Sequence, residues 1–338
     1  MKLSIDGRTQ HISVAFVTGG TGFIGSHTIE RLIDQGIKVR ALVRPSRANL
    51  EWISDLPIDI VRGDLLHPAS LEPAVRDVDF IIHIAGVTKA KKRKDFFLGN
   101  VVATRNLLQL ASNVKRLKKF SQISSLTALG PSLDGIPPTE DSPCNPISTY
   151  GRSKLEGERA CLVYGSSIPI VILRPPTVYG PRDKDVLEMF RTTKLGVQPN
   201  IGSKDKTLSL LYGPDLAEAI VDATLSEKTA GKTYFVSDPI IYLQTQLYDI
   251  LTHLVGGKAL RMKLPSFMLY AVAAVVQGVS YLASKPALLS IEKARDLLQD
   301  HWTCNPEKIK EDIGFVAKTP AEEGLRTTYN WYKSKGWL

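Results

Sequence analysis

Short apolar runs alternate with helix-period stretches through the first 180 residues. This is the pattern left by βαβ units that build a parallel sheet. Runs rich in β-branched and aromatic residues predict strands at Val14–Thr18, Val39–Val43, Ile58–Arg62 and Phe80–Ile84, then at Lys119–Ser124 and Ile170–Leu173. Between the first two, Ile24–Gln35 has a helical period and is closed by Gly36, a residue suited to the left-handed turn after a helix. Proline and glycine are scattered through 175–206, and Thr233–Val236 returns to a strand-like pattern. The C-terminal third reads as helical. Its best-defined element opens at Thr319-Pro320-Ala321-Glu322, a capping box with proline in the first turn, and runs towards Tyr332 before Gly336. The expected fold class is α/β. One region covers 1–180, with 207–238 returning to it, and a second covers 181–338, with a cleft between them because no long linker intervenes.

Composition narrows the class without naming it. A chain of 338 residues suits one large domain or two intimate ones, and 43% hydrophobic with 23% charged residues is an ordinary globular balance. The net charge of +9 leaves nucleic acid, anionic lipid and anionic ligands as candidate partners. Much of it is concentrated in Lys89-Ala90-Lys91-Lys92-Arg93-Lys94, with no aromatic-interleaved basic stripe, so no nucleic-acid partner is expected. Cys144, Cys161 and Cys304 are far apart and odd in number, which excludes a disulfide framework and a closely spaced metal site. Residues 1–8 hold no apolar run of signal-peptide length, so the expected location is cytoplasmic.

The first candidate chemistry is a phosphate cradle. Thr18-Gly19-Gly20-Thr21-Gly22-Phe23-Ile24-Gly25 follows the first strand and opens the first helix, with Gly19, Gly22 and Gly25 at regular spacing. A tight turn there needs positive φ, close approach of a pyrophosphate needs a missing Cβ, and a helix N-terminus offers free N–H groups. In that context a bound dinucleotide outweighs a mere glycine-rich turn. At the end of the second strand, where NAD enzymes usually carry a carboxylate for the ribose, the chain has Arg44. A cation there suits the 2′-phosphate of NADP, so NADP is the expected cofactor and NAD the alternative. Asp64 and Leu65 after the third strand are placed to hold the adenine, and Ala85-Gly86 after the fourth to pass beneath the cofactor. His83 lies inside an apolar strand and reads as a core histidine.

The second constellation is acid–base. Tyr150 and Lys154 stand four apart, on one helix face. A phenol titrates near about 10, and an ammonium group with an oxidised nicotinamide beside it brings the phenolate into range. Ser124-Ser125 ends the fifth strand, at the sheet edge where doubly wound folds bind ligands.

Taken together, Thr18–Gly25, Asp64, His83–Gly86, Ser124–Ser125, Tyr150-x-x-x-Lys154 and Leu173–Arg182 resemble the extended short-chain dehydrogenase/reductases, the NAD-dependent epimerase/dehydratase superfamily. The resemblance covers nearly the whole chain. It implies a Rossmann-type doubly wound parallel sheet with a smaller, mostly helical C-terminal substrate region. It makes Tyr150 the acid–base, Lys154 the residue that lowers its pKa and binds the nicotinamide ribose, and Ser125, aligned through Gly130, the substrate-orienting hydroxyl. Pro175 to Val178 would line the nicotinamide through their backbone. Leu208 stands where sugar-nucleotide members carry an arginine for the diphosphate, and Ser125-Leu126-Thr127 replaces the Thr-Asp-Glu of dehydratases. What is left is similar to the 3β-hydroxysteroid dehydrogenase and dihydroflavonol reductase branch. The expected function is hydride transfer between NADP(H) and a carbonyl or alcohol. A sugar-nucleotide 4-epimerase, with Arg182 taking over the phosphate, and a non-catalytic dinucleotide-binding protein are the alternatives.

Two further segments bear on partners. Ser266–Ser284 has no charge for 19 residues and reads first as a buried or dimer-facing helix, next as a monotopic membrane contact flanked by Lys258, Arg261, Lys263 and Lys285, last as a span. Lys89–Lys94 reads as a solvated loop or as a recognition element for an anionic substrate. An anionic or lipid-like small molecule and a homodimer are the expected partners.

Overall fold

The computed structural model describes residues 12–47, 49–201, 205–282 and 289–338. Six strands follow in chain order: β1 Val14–Thr18, β2 Lys38–Val43, β3 Asp59–Arg62, β4 Phe80–His83, β5 Lys119–Ile123 and β6 Ile170–Arg174. Every end lies within one residue of its sequence expectation. β7 Thr177–Tyr179, β8 Val197–Ile201, β9 Thr207–Tyr212 and β10 Lys232–Phe235 come next. β10 pairs with β6, giving a seven-stranded parallel sheet in the order β10-β6-β5-β4-β1-β2-β3. β4, β5 and β6 are buried at every position, as strands covered on both faces must be, whereas edge strand β3 is largely open.

Helices cover both faces. On one, Ile29 and Leu32 of the first helix, Phe23–Asp34, pack with Leu216, Ile220 and Val221 of helix Gly213–Leu225. On the other, Leu107 and Leu108 of helix Ala103–Ala111 pack with Phe120 and Cys161. From β1 the chain runs to β2 and β3 on one side and to β4, β5 and β6 on the other. The crevice at the carboxyl ends of β1 and β4 is therefore the topological switch point, where such sheets bind ligands.

Smaller sheets complete the fold. β11 Ile241–Leu243 and β13 His301–Trp302 flank β9, which also pairs with β7, and β12 Leu260–Leu264 lies parallel to β8. The C-terminal helix, Ala321–Ser334, closes an aromatic cluster that includes Phe190 and Tyr332. The expected capping box at Thr319 does not form. Thr319 instead donates its N–H and hydroxyl to the Asp215 carboxylate at 2.9 and 3.0 Å, alongside the Lys318 N–H, so a tertiary acceptor wins over the local one.

The apolar segment forms helix Ser266–Leu282, and residues 283–288, including Lys285, lie outside the described residues. Only a narrow side of it is covered: Leu269 and Ala273 pack on Ala294 of helix Ile291–Leu297. The reading as a helix buried within this chain is corrected, because most of its large apolar residues face outwards. Among the described residues, no helix is long and apolar enough to cross a membrane.

Candidate active site

The glycine loop lies at the switch point. Gly19 has φ of +77°, and a Cβ there would sit 2.7 Å from the Ala85 N; a Cβ on Gly25 would sit 2.2 Å from the Gly19 carbonyl oxygen. Loop, helix start and β4 end are thus pressed together as only glycine permits. Gly22 is the N-cap of the first helix and has no capping side chain, so the first N–H groups of the helix are left for a ligand. Thr21 stands half-buried in the turn. Phe23 turns its ring against Gly180 and Gly213, and the Ile24 side chain joins the core. These features fit a dinucleotide pyrophosphate.

The end of β4 is held by a chain of hydroxyls. The Ala85 N–H donates to Thr18 Oγ1, whose hydroxyl therefore points to His83 Nδ1 at 2.7 Å. His83 Nε2 then donates to Thr104 Oγ1, which donates to the Asn100 carbonyl. Burial, with the Lys154 charge adding to it, pulls His83 down to about 3. His83 is neutral and structural, as its apolar strand suggests.

Asn100 escaped the sequence reading. It sits in a π-helical turn, Leu98–Val102, and all its amide groups are used. Its oxygen accepts the Val87 N–H at 2.7 Å, and its nitrogen donates to the Val87 carbonyl and to Ser153 Oγ, which donates to the Tyr150 carbonyl. It ties the loop after β4 to the helix of the candidate acid–base. The available signal was glycine: a Cβ on Gly86 or Gly157 would lie 3.0 or 2.6 Å from Asn100 atoms.

That helix, Thr149–Tyr164, is capped by Ser148, and Gly151 lets it approach the turn after β5, where a Cβ would meet the Thr127 carbonyl at 2.3 Å. This approach brings Tyr150 and Ser125 to the wall of one cavity. Ser125 also accepts from Thr127 N and Oγ1, which orient its hydroxyl. Ser124, by contrast, is turned inward to Glu158, which forms a buried bidentate pair with Arg174 at 2.6 and 3.0 Å. The two serines therefore have different surroundings, and only Ser125 lines the cavity.

Burial pushes the Tyr150 phenol up to about 12; the Ser125 hydrogen bond works against this, and the Asp296 charge adds to it. Lys154 is turned to the Ile123 carbonyl at 2.6 Å, and burial brings it down to about 8 against the opposing charge of Glu158. Burial thus governs the resting Tyr150 phenol. Gly86 lies beside Lys154, with an added Cβ 3.7 Å from Nζ.

Tyr150 and Ser125 open into a cavity of about 820 Å³. Pro176, Thr177 and Val178 line it, while Pro175 is buried behind them with its carbonyl accepting the Leu126 N–H. Leu208 lines the cavity too, an apolar side chain where a diphosphate would need a cation. Lys89, Lys91 and Arg93 reach the cavity, with Lys89 paired to Asp185 and Arg93 to Glu292 at 3.3 Å. Arg182 does not reach it. Its guanidinium grips Glu30 at 2.6 and 3.1 Å and lies over the Trp52 ring. Against burial, hydrogen bonds from His27 and Arg182 hold Glu30 at about 2. The alternative role of Arg182 as a phosphate ligand is set aside.

At the carboxyl end of β2, Arg44 is exposed. Arg62 spans the turn, donating to the Arg47 carbonyl at 2.8 Å, so Arg44, Arg47 and Arg62 sit together there. Asp64 accepts the Leu66 N–H, and Leu65 packs into the core with its carbonyl bound by Asn106.

A sequence profile of the NAD dependent epimerase/dehydratase family matches residues 15–236. A ceramide reductase of Caulobacter vibrioides is 28% identical over 337 residues, 96% of each chain. A 2-alkyl-3-oxoalkanoate reductase of Shewanella oneidensis is 27% identical, over 96% of this chain and 90% of that one. In fold the chain is similar to the UDP-glucose 4-epimerase of Thermotoga maritima, with a TM-score of 0.79 at 20% identity, over 95% of this chain and 99% of that one.

Proposed function

The chain belongs to the NAD-dependent epimerase/dehydratase family of NAD(P)-dependent enzymes, and from that premise we propose that it reduces a ketone flanked by apolar chains. The observation that carries this reading is the Tyr150–Ser125 pair opening into a cavity that also presents Leu208. Two relatives named as reductases, of ceramide and of 2-alkyl-3-oxoalkanoates, support the substrate class.

Reduced nicotinamide, when bound, supplies the hydride. The glycine loop with Ala85, Gly86, Lys154 and Val178 would hold it, and the cations Arg44, Arg47 and Arg62 favour NADP(H) over NAD(H). Ser125 donates to the substrate carbonyl and polarises it. Tyr150 gives the proton that the reduced oxygen needs, and a phenol held at about 12 is fully protonated at neutrality. Lys154, at about 8, is mostly cationic at pH 7 and steadies the negative charge left on the phenol as the proton leaves.

The epimerase alternative is less favoured, since Leu208 is apolar and Arg182 is bound to Glu30, which leaves the Lys89–Lys94 run for a diphosphate. Incubation of the protein with NADPH and 2-alkyl-3-oxo acids or keto-ceramides tests the reading. Stoichiometric loss of reduced-cofactor absorbance is expected. No consumption, with thermal stabilisation by a sugar nucleotide at micromolar levels, would transfer the assignment to the epimerase.

A further inference from the structure

Helix Ser266–Leu282 has two sides of opposite character. With 3.6 residues per turn, Phe267, Met268, Ala271, Val272, Val275, Gly278 and Val279 fall within one arc of about 140°. No polar residue from 266 to 280 interrupts that arc. Its large members are exposed, Phe267 to 71%, Val275 to 66% and Val279 to 60%. The other side carries Leu269 and Ala273 against Ala294, and Gln277 and Ser280, which line the cavity. One helix is therefore both a wall of the substrate cavity and an open apolar surface.

Contiguous exposed apolar residues on a water-facing helix mark a docking site, and we infer that this face lies on an anionic lipid surface. Charge identifies the occupant. The cavity that the helix walls also carries Lys89, Lys91, Arg93, Lys293 and Arg295, against Asp185, Glu292 and Asp296. The helix itself is free of charge, and the whole chain is +9. A second copy seated on the same face would bring two cationic molecules and two cationic cavities together. An anionic bilayer takes the apolar arc into its acyl chains, and its headgroups attract a chain of +9. The described part of the helix, Ser266–Leu282, is about 25 Å long and lies in the interface plane in this reading. The cavity then opens beside the bilayer, and an apolar-tailed ketone passes Gln277 and Ser280 without crossing water. That route rests on the proposed reaction; the docking does not.

Co-sedimentation of the full chain with phosphatidylcholine vesicles, with and without phosphatidylglycerol, tests the inference. The protein should pellet with the anionic vesicles and be partly released by salt. Val275→Glu combined with Val279→Glu should weaken this by about tenfold or more, while leaving the melting temperature and the reduction of a short, water-soluble ketone at wild-type values. Recovery of the wild type in the supernatant with both vesicles, or unchanged binding by the double variant, overturns it. So does a lipid-free wild-type dimer that the same double variant turns into monomers, since the occupant is then a second copy. If no ketone is reduced by any form, vesicle binding still reads the inference separately from the reaction.

Discussion

The two walls of the cleft are built differently. On the cofactor side, polar groups are locked by buried partners: Thr18, His83 and Thr104 form one chain, Asn100 uses its whole amide, and Glu158 grips Arg174 out of water. On the substrate side, the charged groups pair across the surface. Arg93 meets Glu292 with 80% of its side chain exposed, and the two helices there share a small apolar cluster built on Leu269, Ala273 and Ala294. Buried networks hold reacting groups in fixed geometry, whereas exposed pairs contribute little and exchange partners easily. The proposed reaction therefore places its chemistry in the rigid wall and its substrate choice in the adaptable one.

The strongest test of that division is Tyr150→Phe. Removing one hydroxyl from the rigid wall should lower ketone turnover by about 10² to 10⁴-fold while NADPH affinity hardly changes. Single-turnover kinetics with a cofactor titration read both, and near-normal turnover would end the assignment of Tyr150.

Next in size is a paired comparison of glutamates. Glu158→Ala leaves Arg174 charged and buried, and should cost about 3–5 kcal/mol of stability. Glu292→Ala removes the partner of exposed Arg93, and should cost at most about 1 kcal/mol from that pair plus about 1 kcal/mol from its bonds to Thr149 N and Oγ1. Urea unfolding of both variants decides. Similar losses would mean that the two walls are equally rigid.

A smaller effect is expected at the adenine end. Arg44→Asp should reduce the preference for NADPH over NADH by about tenfold to a hundredfold, with Arg62→Ala contributing in the same direction. Cofactor titrations on wild type and variants check this, and a wild type indifferent to the two cofactors would make the arginine cluster a bystander.

The same division explains what was legible in the sequence. β4 and β6 are buried on both faces and appear as the apolar runs Phe80-Ile81-Ile82 and Ile170–Leu173, whereas β5, equally buried, carries Lys119, Ser121 and Gln122 among its apolar residues. The glycine loop is equally plain, because its φ value and its sub-3 Å contacts leave no other residue. Asn100 was hidden because its partners, Val87 and Ser153, lie 13 and 53 residues away and meet only after folding. Arg182 and Thr319 misled for the same reason, since Glu30 and Asp215 claim them across more than 100 residues. In the substrate wall, helix Ile291–Leu297 carries Glu292 and Asp296 to the cavity with no local pattern announcing it.

Asp296 provides the finest test, because it is where the adaptable wall touches the reacting group. Burial pushes its carboxyl up to about 6, against a Ser148 hydrogen bond, and its charge is one of the influences that raise the Tyr150 phenol. The sign follows directly. Above about pH 6 the wild-type carboxylate is charged and opposes the phenolate; below it, the proton removes that opposition. Asp296→Asn takes away the charge at every pH. Ketone reduction at pH 7 uses the neutral phenol in both proteins, so it should change by less than about threefold. Alcohol oxidation needs the phenolate and climbs with pH, so its rise should move to lower pH in the variant. Below pH 6 the two profiles should converge. A kcat/KM profile for oxidation from pH 5 to 10 measures this, with bound cofactor acting equally on both proteins. Coincident profiles above pH 6 would show that the substrate wall does not tune the acid–base, and that the separation of the two walls is complete.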